Sequence, residues 1–89
     1  MKKSIAILGA TGSIGKTLLK ILEKDKKKFE IILLTSNKSH QTLLRQAKKF
    51  NVKNLIITDK KSYELMIKKT KNTRIKIYNN YDNFNKIFK

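Results

Sequence analysis

Apolar residues along this chain fall into short blocks that alternate between strand-like and helix-like spacing. Ser4–Leu8 is short and nearly continuous in apolar residues, the pattern of a strand buried on both faces. Behind it, Ile14, Leu18, Leu19, Ile21 and Leu22 recur at helical spacing, with Lys16, Lys20 and Lys24 elsewhere on the cylinder. Phe29–Thr35 is a second buried strand, and a second helix is predicted over His40–Phe50 with Leu43, Leu44, Ala47 and Phe50 inward. "NLIIT" is a third strand, and Asp59 is placed to cap a third helix carrying Tyr63, Met66, Ile67 and Thr70 on one face. "RIKIY" alternates as an edge strand does, and "DNFNKIF" can open a fourth helix.

Strands that alternate with helices, and that are themselves continuously apolar, predict an α/β fold. The expected architecture is a Rossmann-like parallel sheet with flanking helices, the first half of a doubly wound domain. At 89 residues the chain holds at most one domain, able to bury about 60–65% of the surface its unfolded form exposes. No Pro/Ser-rich linker or internal repeat divides it.

The formal charge of +16 raises a nucleic-acid reading. Of the 22 basic residues, however, 20 are lysine, whereas arginine supplies the bidentate fork for phosphate and guanine. Isoleucine (12) and asparagine (8) are also abundant while glycine is down to 3 and proline to 0, so A/T-rich codon usage accounts for much of the charge. A basic nucleic-acid-binding protein stays as an alternative. There is no cysteine, hence no disulfide, thiolate nucleophile or thiolate metal site. The apolar run after Lys2 and Lys3 is too short for a signal peptide and no span approaches membrane length, so a cytoplasmic protein is expected.

"GATGSIGKT", Gly9 to Thr17, resembles two phosphate-binding loops at once. The triphosphate loop G-x-x-x-x-G-K-[ST], counted back from Gly15-Lys16-Thr17, needs a glycine at position 10, where Ala10 stands. The dinucleotide reading is met: Gly9, Gly12 and Gly15 follow a predicted strand and open a predicted helix. Gly9 would permit the turn off the strand, Gly12 the approach of a pyrophosphate, and Gly15 close packing of the helix. Main-chain N–H groups at the helix start hold the anion, and Thr11 and Ser13 add hydroxyls for capping or for phosphate. All three glycines of the chain lie within these seven residues.

A site for NAD usually ends its second strand in Asp or Glu, which bonds the ribose 2′-hydroxyl. Here that position reads "TSNKS", without an acid. Ser36, Asn37, Lys38 and Ser39 offer hydroxyls, an amide and a positive charge, which suit a 2′-phosphate. NADPH is favoured over NADH.

"AILGATGSIGKTLLKIL", "KFEIILLTSNKS" and "AKKFNVKNLIITD" together resemble the N-terminal cofactor-binding region of the 1-deoxy-D-xylulose 5-phosphate reductoisomerase family, over about the first 60 residues. The resemblance implies that residues 1–89 are an N-terminal NADPH-binding (Rossmann) domain, an incomplete one. It implies cofactor contacts at Thr11, Gly12, Ser13 and Ile14, and places Asn37, Lys38 and Ser39 near the adenosine 2′-phosphate. Ala10 departs from a usual serine, Asn37 from a frequent glycine, Ser39 from a usual asparagine, and "DKKKF" lacks a common proline. The family's reaction is the NADPH-dependent rearrangement and reduction of a phosphorylated sugar to 2-C-methyl-D-erythritol 4-phosphate, in the non-mevalonate route to isoprenoids. For the full-length family enzyme the resemblance also implies a divalent metal, magnesium or manganese, and a homodimer.

No catalytic residue and no metal ligand is nominated within this chain. Its six acids, Glu23, Asp25, Glu30, Asp59, Glu64 and Asp82, are scattered. His40 is expected to start the second helix, and Tyr63, Tyr78 and Tyr81 to pack in the core or at an edge. The expectation is therefore a cofactor-binding piece of an oxidoreductase, inactive alone. The alternative enzyme-related reading is a stand-alone NAD(P)-binding module related to short-chain or semialdehyde dehydrogenases.

Overall fold

The computed structural model describes residues 2–87 and alternates strand and helix throughout. In chain order the elements are β1 (Lys3–Ile7), α1 (Ser13–Glu23), β2 (Phe29–Ser36), α2 (His40–Phe50), β3 (Asn54–Ile57), α3 (Lys60–Lys69), β4 (Lys76–Tyr78) and α4 (Phe84–Ile87). The four strands form one sheet in the order β1-β2-β3-β4, with every neighbouring pair parallel. This is the Rossmann-like α/β architecture expected. The sheet grows in one direction from β1, and right-handed crossovers then put successive helices on one face. Accordingly Leu19 of α1, Leu43 and Ala47 of α2 and Met66 of α3 join Ile7, Ile31, Leu34, Leu55 and Ile57 in a single core.

The register explains which strand residues face the helices. Ile5 pairs with Ile31, but Ala6 pairs with Leu33, so Ile32 is an extra residue in β2. This bulge lets Ile31 and Leu34, three positions apart, both enter the helix-side core. The carbonyl of Ile32 is taken by the side-chain amide of Asn54 at 3.0 Å, so a β3 residue satisfies the group at the irregularity. By the same register Leu33, Thr35 and Ile56 lie on the opposite face, where they too are buried. Asn54, Lys76 and Tyr78 of that face line a cavity together with Asn83, Lys86 and Ile87, so α4 lies over the opposite side of the sheet.

Three sequence expectations change. β1 runs Lys3–Ile7, and only Ile7 is buried; Ile5 and Ala6 are half-buried because β1 forms the sheet edge among the described residues. Leu8 lies past the strand and is exposed. On α1 the apolar residues divide into two stripes: Gly15, Leu19 and Leu22 turn to the core, whereas Ile14, Leu18 and Ile21 face outward. On α3 the inward arc is Ser62, Tyr63, Met66 and Thr70, and Ile67 is exposed. The reading of α2 holds: it spans His40–Phe50, buries Leu43 and Ala47, and packs Leu44 and Phe50 against the core. Tyr63 and Tyr78 are half-buried, while Tyr81 is exposed and packs its ring near that of Phe84. Of the predicted fourth helix, Phe84–Ile87 is helical, and Phe88 lies outside the described residues.

Candidate cofactor site

Parallel strands deliver all their following loops to one end of the sheet, where ligands of such folds bind. Here the carboxyl ends of β1, β2 and β3 present the turn at Gly9–Gly12, the loop at Asn37–Ser39 and the corner at Thr58–Asp59.

The turn is built on the tip of β2. Gly9 takes a φ of +69°, a left-handed conformation that glycine adopts without strain. Its N–H donates to the Thr35 hydroxyl at 2.9 Å, and the next N–H, of Ala10, donates to the Thr35 carbonyl at 2.8 Å. Gly12 N–H closes the turn on the Gly9 carbonyl at 3.1 Å. The buried Gly15 sits against this turn: a side-chain carbon added there would collide with the Gly9 carbonyl oxygen and stand 2.7 Å from Ala10 Cα. Gly15 thus brings the helix onto the turn itself rather than onto the sheet.

What remains is a row of unclaimed donors. Gly12 is the N-cap of α1, no side chain caps the helix, and no acid lies in its first turn. The N–H groups of Thr11, Ser13, Ile14 and Gly15 take part in no hydrogen bond among the described residues. Thr11 and Ser13 therefore do not cap, contrary to one of the two roles expected of them. The Thr11 hydroxyl instead pairs with that of Ser36 at 2.8 Å. A side-chain carbon on Gly12 would meet only the Gly9 carbonyl oxygen, at 3.4 Å, so the surface over this position is open. Gly12, Ser13 and Ile14 are exposed.

The second loop is held from below. Ser36 accepts from Ser39 N–H at 3.3 Å and, through its carbonyl, from Thr58 N–H at 3.2 Å. The Asn37 carbonyl accepts from Asp59 N–H at 3.0 Å, and its side-chain oxygen accepts from the Thr58 hydroxyl at 2.8 Å. Asp59 caps α3: Oδ2 takes the Ser62 N–H at 3.0 Å and its hydroxyl at 2.8 Å. That single hydroxyl proton is shared with the Lys38 carbonyl, 3.1 Å away. The backbone bond from Ser62 and then its hydroxyl hold the Asp59 carboxyl below its ordinary range against the opposing effect of burial, with Lys38 and Lys61 adding less. Asp59 therefore acts as the cap that the sequence predicts. Asn37, Lys38 and Ser39 are all exposed.

Turn and loop are brought together through the Thr11–Ser36 hydroxyl pair, and not through residues 37–39 directly. Sequence reasoning missed Thr35 and Gln46 as holding residues, and offered Ser36 to a 2′-phosphate, whereas it is buried and bonded to Thr11 and Ser39. Thr35 and Ser36 were legible as two hydroxyls at the tip of an otherwise apolar strand. Gln46 is a polar residue within the inward arc of α2, and its amide donates to the Ala10 carbonyl at 2.9 Å. His40 opens α2 as expected. Among the described residues no group of three or more His, Cys, Asp or Glu is placed to hold a metal ion, and no helix is long and apolar enough to cross a membrane. A cavity at the other end of the strands, lined by Leu22, Lys26, Phe29, Ile31 and Phe50 among others, shares no residue with this constellation.

The family model for 1-deoxy-D-xylulose 5-phosphate reductoisomerase matches residues 5–89. A Pelagibacter ubique protein of that name is 54% identical over 86 residues, 97% of this chain and 22% of the relative. The solved Zymomonas mobilis reductoisomerase in complex with NADPH superposes with a TM-score of 0.85 at 26% identity, over 98% of this chain and 23% of that one. A reductoisomerase solved with NADPH, fosmidomycin and magnesium matches with a TM-score of 0.79 at 29% identity, over 85% of this chain and 19% of its own. This chain spans about a fifth of the length of these relatives. With nearly its whole length matched in sequence and in fold, the chain belongs to the 1-deoxy-D-xylulose 5-phosphate reductoisomerase family.

Proposed function

We propose that this chain is the NADPH-binding portion of a reductoisomerase, with the cofactor's phosphates on the turn at Gly9–Gly15 and its 2′-phosphate at Asn37–Ser39. The observation that carries the reading is the set of free N–H groups on Thr11, Ser13, Ile14 and Gly15, around a glycine that the chain's own packing leaves uncrowded. Main-chain donors at a helix start suit a pyrophosphate without a dedicated cation. Thr11, Gly12, Ser13 and Ile14 would take the pyrophosphate side, while Gly9 and Gly15 set the backbone path. Asn37, Lys38 and Ser39 supply an amide, a cation and a hydroxyl at the tip of β2, where a carboxylate would instead select a free ribose hydroxyl. When bound, NADPH supplies the hydride for reduction of the rearranged sugar phosphate. The residues described above bind and orient it.

On the same reading, the whole enzyme carries out the rearrangement and reduction that the family name states, on a phosphorylated sugar, in the cytoplasm and as a homodimer. On this reading the magnesium found in such relatives would be held by residues other than the scattered acids of this chain. The 89-residue chain alone is read as a cofactor-binding domain without turnover, and without a nucleic-acid partner.

The test is titration of NADPH and NADH against the purified chain, with Gly12→Val as control. Saturable binding, tighter for NADPH and lost in the variant, is expected. Absence of saturable binding of either would overturn the reading, and polyanion affinity rising steeply at low salt in its place would favour the nucleic-acid alternative.

A further inference from the structure

Ala10 is wholly buried at the centre of the turn, and both of its main-chain groups are claimed. Its N–H is fixed to β2 through the Thr35 carbonyl at 2.8 Å, and its carbonyl is fixed to α2 through Gln46 Nε2 at 2.9 Å. The described chain has no cis peptide, and a trans peptide points its carbonyl and the following N–H in opposite directions. The Gln46 bond therefore sets the direction of the Thr11 N–H: it is turned away from α2 and left without a partner among the described residues.

The Gln46 side chain is committed to this one task. Its other polar atom, Oε1, is buried and meets no donor among the described residues. An apolar side chain would occupy the groove between α1 and α2 without burying an unpaired carbonyl oxygen. Nor can the amide be turned around, because its oxygen would then face the Ala10 carbonyl, acceptor against acceptor. What glutamine adds at this position is a donor to Ala10.

We infer that Gln46 is a positioning residue for the phosphate turn, acting through the Ala10–Thr11 peptide to aim the Thr11 N–H at the cofactor's pyrophosphate. The inference rests on the cofactor reading above and adds to it a residue 36 positions away in sequence that touches no ligand. It also accounts for how the turn is clamped: Thr35 from the sheet, Gly15 from α1 and Gln46 from α2.

The experiment uses the 89-residue chain, isotope-labelled for amide NMR, with NADP+ as titrant and Gln46→Leu and Gln46→Glu as variants. In Gln46→Leu the dissociation constant is expected to rise roughly five- to tenfold, the usual effect of one hydrogen bond. The cofactor-induced shift of the Thr11 amide should collapse, while those of Ser13 and Ile14 persist. Gln46→Glu separates positioning from packing. At pH 8 its carboxylate opposes the Ala10 carbonyl and binding is weakened; towards about pH 4, near the ordinary glutamic acid value, the protonated acid can donate again. Affinity relative to wild type at the same pH should recover on acidification, a change that lost packing would not produce. Wild-type affinity and an intact Thr11 shift in both variants would overturn the inference while leaving the cofactor reading in place. A wild-type chain with no saturable NADP+ binding would overturn both.

Discussion

A side-chain carbon on Gly15 would run into the carbonyl oxygen of Gly9, with Ala10 Cα a further obstacle at 2.7 Å. The obstacle is backbone, already fixed to β2 by the Ala10 N–H, and it cannot swing aside as a flexible side chain would. Gly15→Ala must therefore displace α1 from the turn. The expected loss of stability is about 3 kcal/mol, the upper end for overpacking, measured by urea denaturation of the chain. A loss below about 0.5 kcal/mol, the range of neutral surface changes, would mean that the helix does not sit this close.

Gly12 provides the contrast. Its added carbon would make only ordinary contact at 3.4 Å, and its φ of −79° suits any residue. Gly12→Ala should cost about 1 kcal/mol, the difference between glycine and alanine at an N-cap. Nucleotide affinity should fall by roughly tenfold or more, because the methyl group stands over the free N–H groups where a pyrophosphate must approach. The pair of variants dissociates two effects: Gly15→Ala strikes the fold and Gly12→Ala the ligand. Equal affinity in Gly12→Ala and wild type, by fluorescence titration with NADPH, would move the phosphates off this turn.

Thr35 joins the sheet to the turn with two atoms, its hydroxyl on Gly9 N–H and its carbonyl on Ala10 N–H. Thr35→Val keeps the shape and the carbonyl but removes the hydroxyl acceptor from a side chain only 2% exposed. Stranding the Gly9 donor should cost about 1–3 kcal/mol. Thr35→Ser retains the acceptor and should lose less, chiefly the buried methyl at about 1 kcal/mol. Thermal unfolding of the two variants gives the order, and a valine variant as stable as the serine variant would dismiss the hydroxyl's role.

These same residues mark how far the sequence could be read. The alternation of elements, the helix at His40–Phe50 and the Asp59 cap were legible because each rests on local chemistry: period, turn and N-cap preference. The glycine turn was legible for the same reason. The bulge at Ile32 was not, since "EIILLT" is apolar at every position that could slip, and only the parity of Ile31 and Leu34 reveals it. Nor was the outward stripe of Ile14, Leu18 and Ile21, because helical spacing counts apolar residues without naming what covers them. Thr35 and Gln46 escaped, and Ser36 was assigned to a 2′-phosphate rather than to the turn, because their roles are long-range hydrogen bonds, set by which strand and helix the topology places beside β1.

Asp59 ties stability to pH. Its folded carboxyl titrates below the ordinary value of 3.8, chiefly through the Ser62 N–H and hydroxyl. A depressed folded value stabilises the chain fully above the unfolded value, and that contribution is lost as pH falls through the folded one. Melting temperature should therefore decline as pH drops below about 4. Asp59→Asn, which keeps a good N-cap but does not titrate, should flatten the decline. Superimposable profiles for variant and wild type would assign acid sensitivity to other carboxylates.

Asn37 is where cofactor choice can be reversed with the least disturbance. Its side-chain oxygen accepts the Thr58 hydroxyl at 2.8 Å and its carbonyl accepts Asp59 N–H at 3.0 Å. Asn37→Asp preserves both bonds, since a carboxylate oxygen accepts the same hydroxyl, and changes only the charge at the tip of β2. An acid there bonds free ribose hydroxyls and repels a 2′-phosphate. The ratio of NADH to NADPH dissociation constants should shift towards NADH by about tenfold or more, as one uncompensated charge contact of about 1.4 kcal/mol implies. Lys38→Ala, which removes a cation but adds no acid, should weaken NADPH alone, and by less, because the lysine is exposed and screened. If Asn37→Asp leaves the ratio unchanged while the fold stays intact, the 2′-phosphate does not lie over the tip of β2.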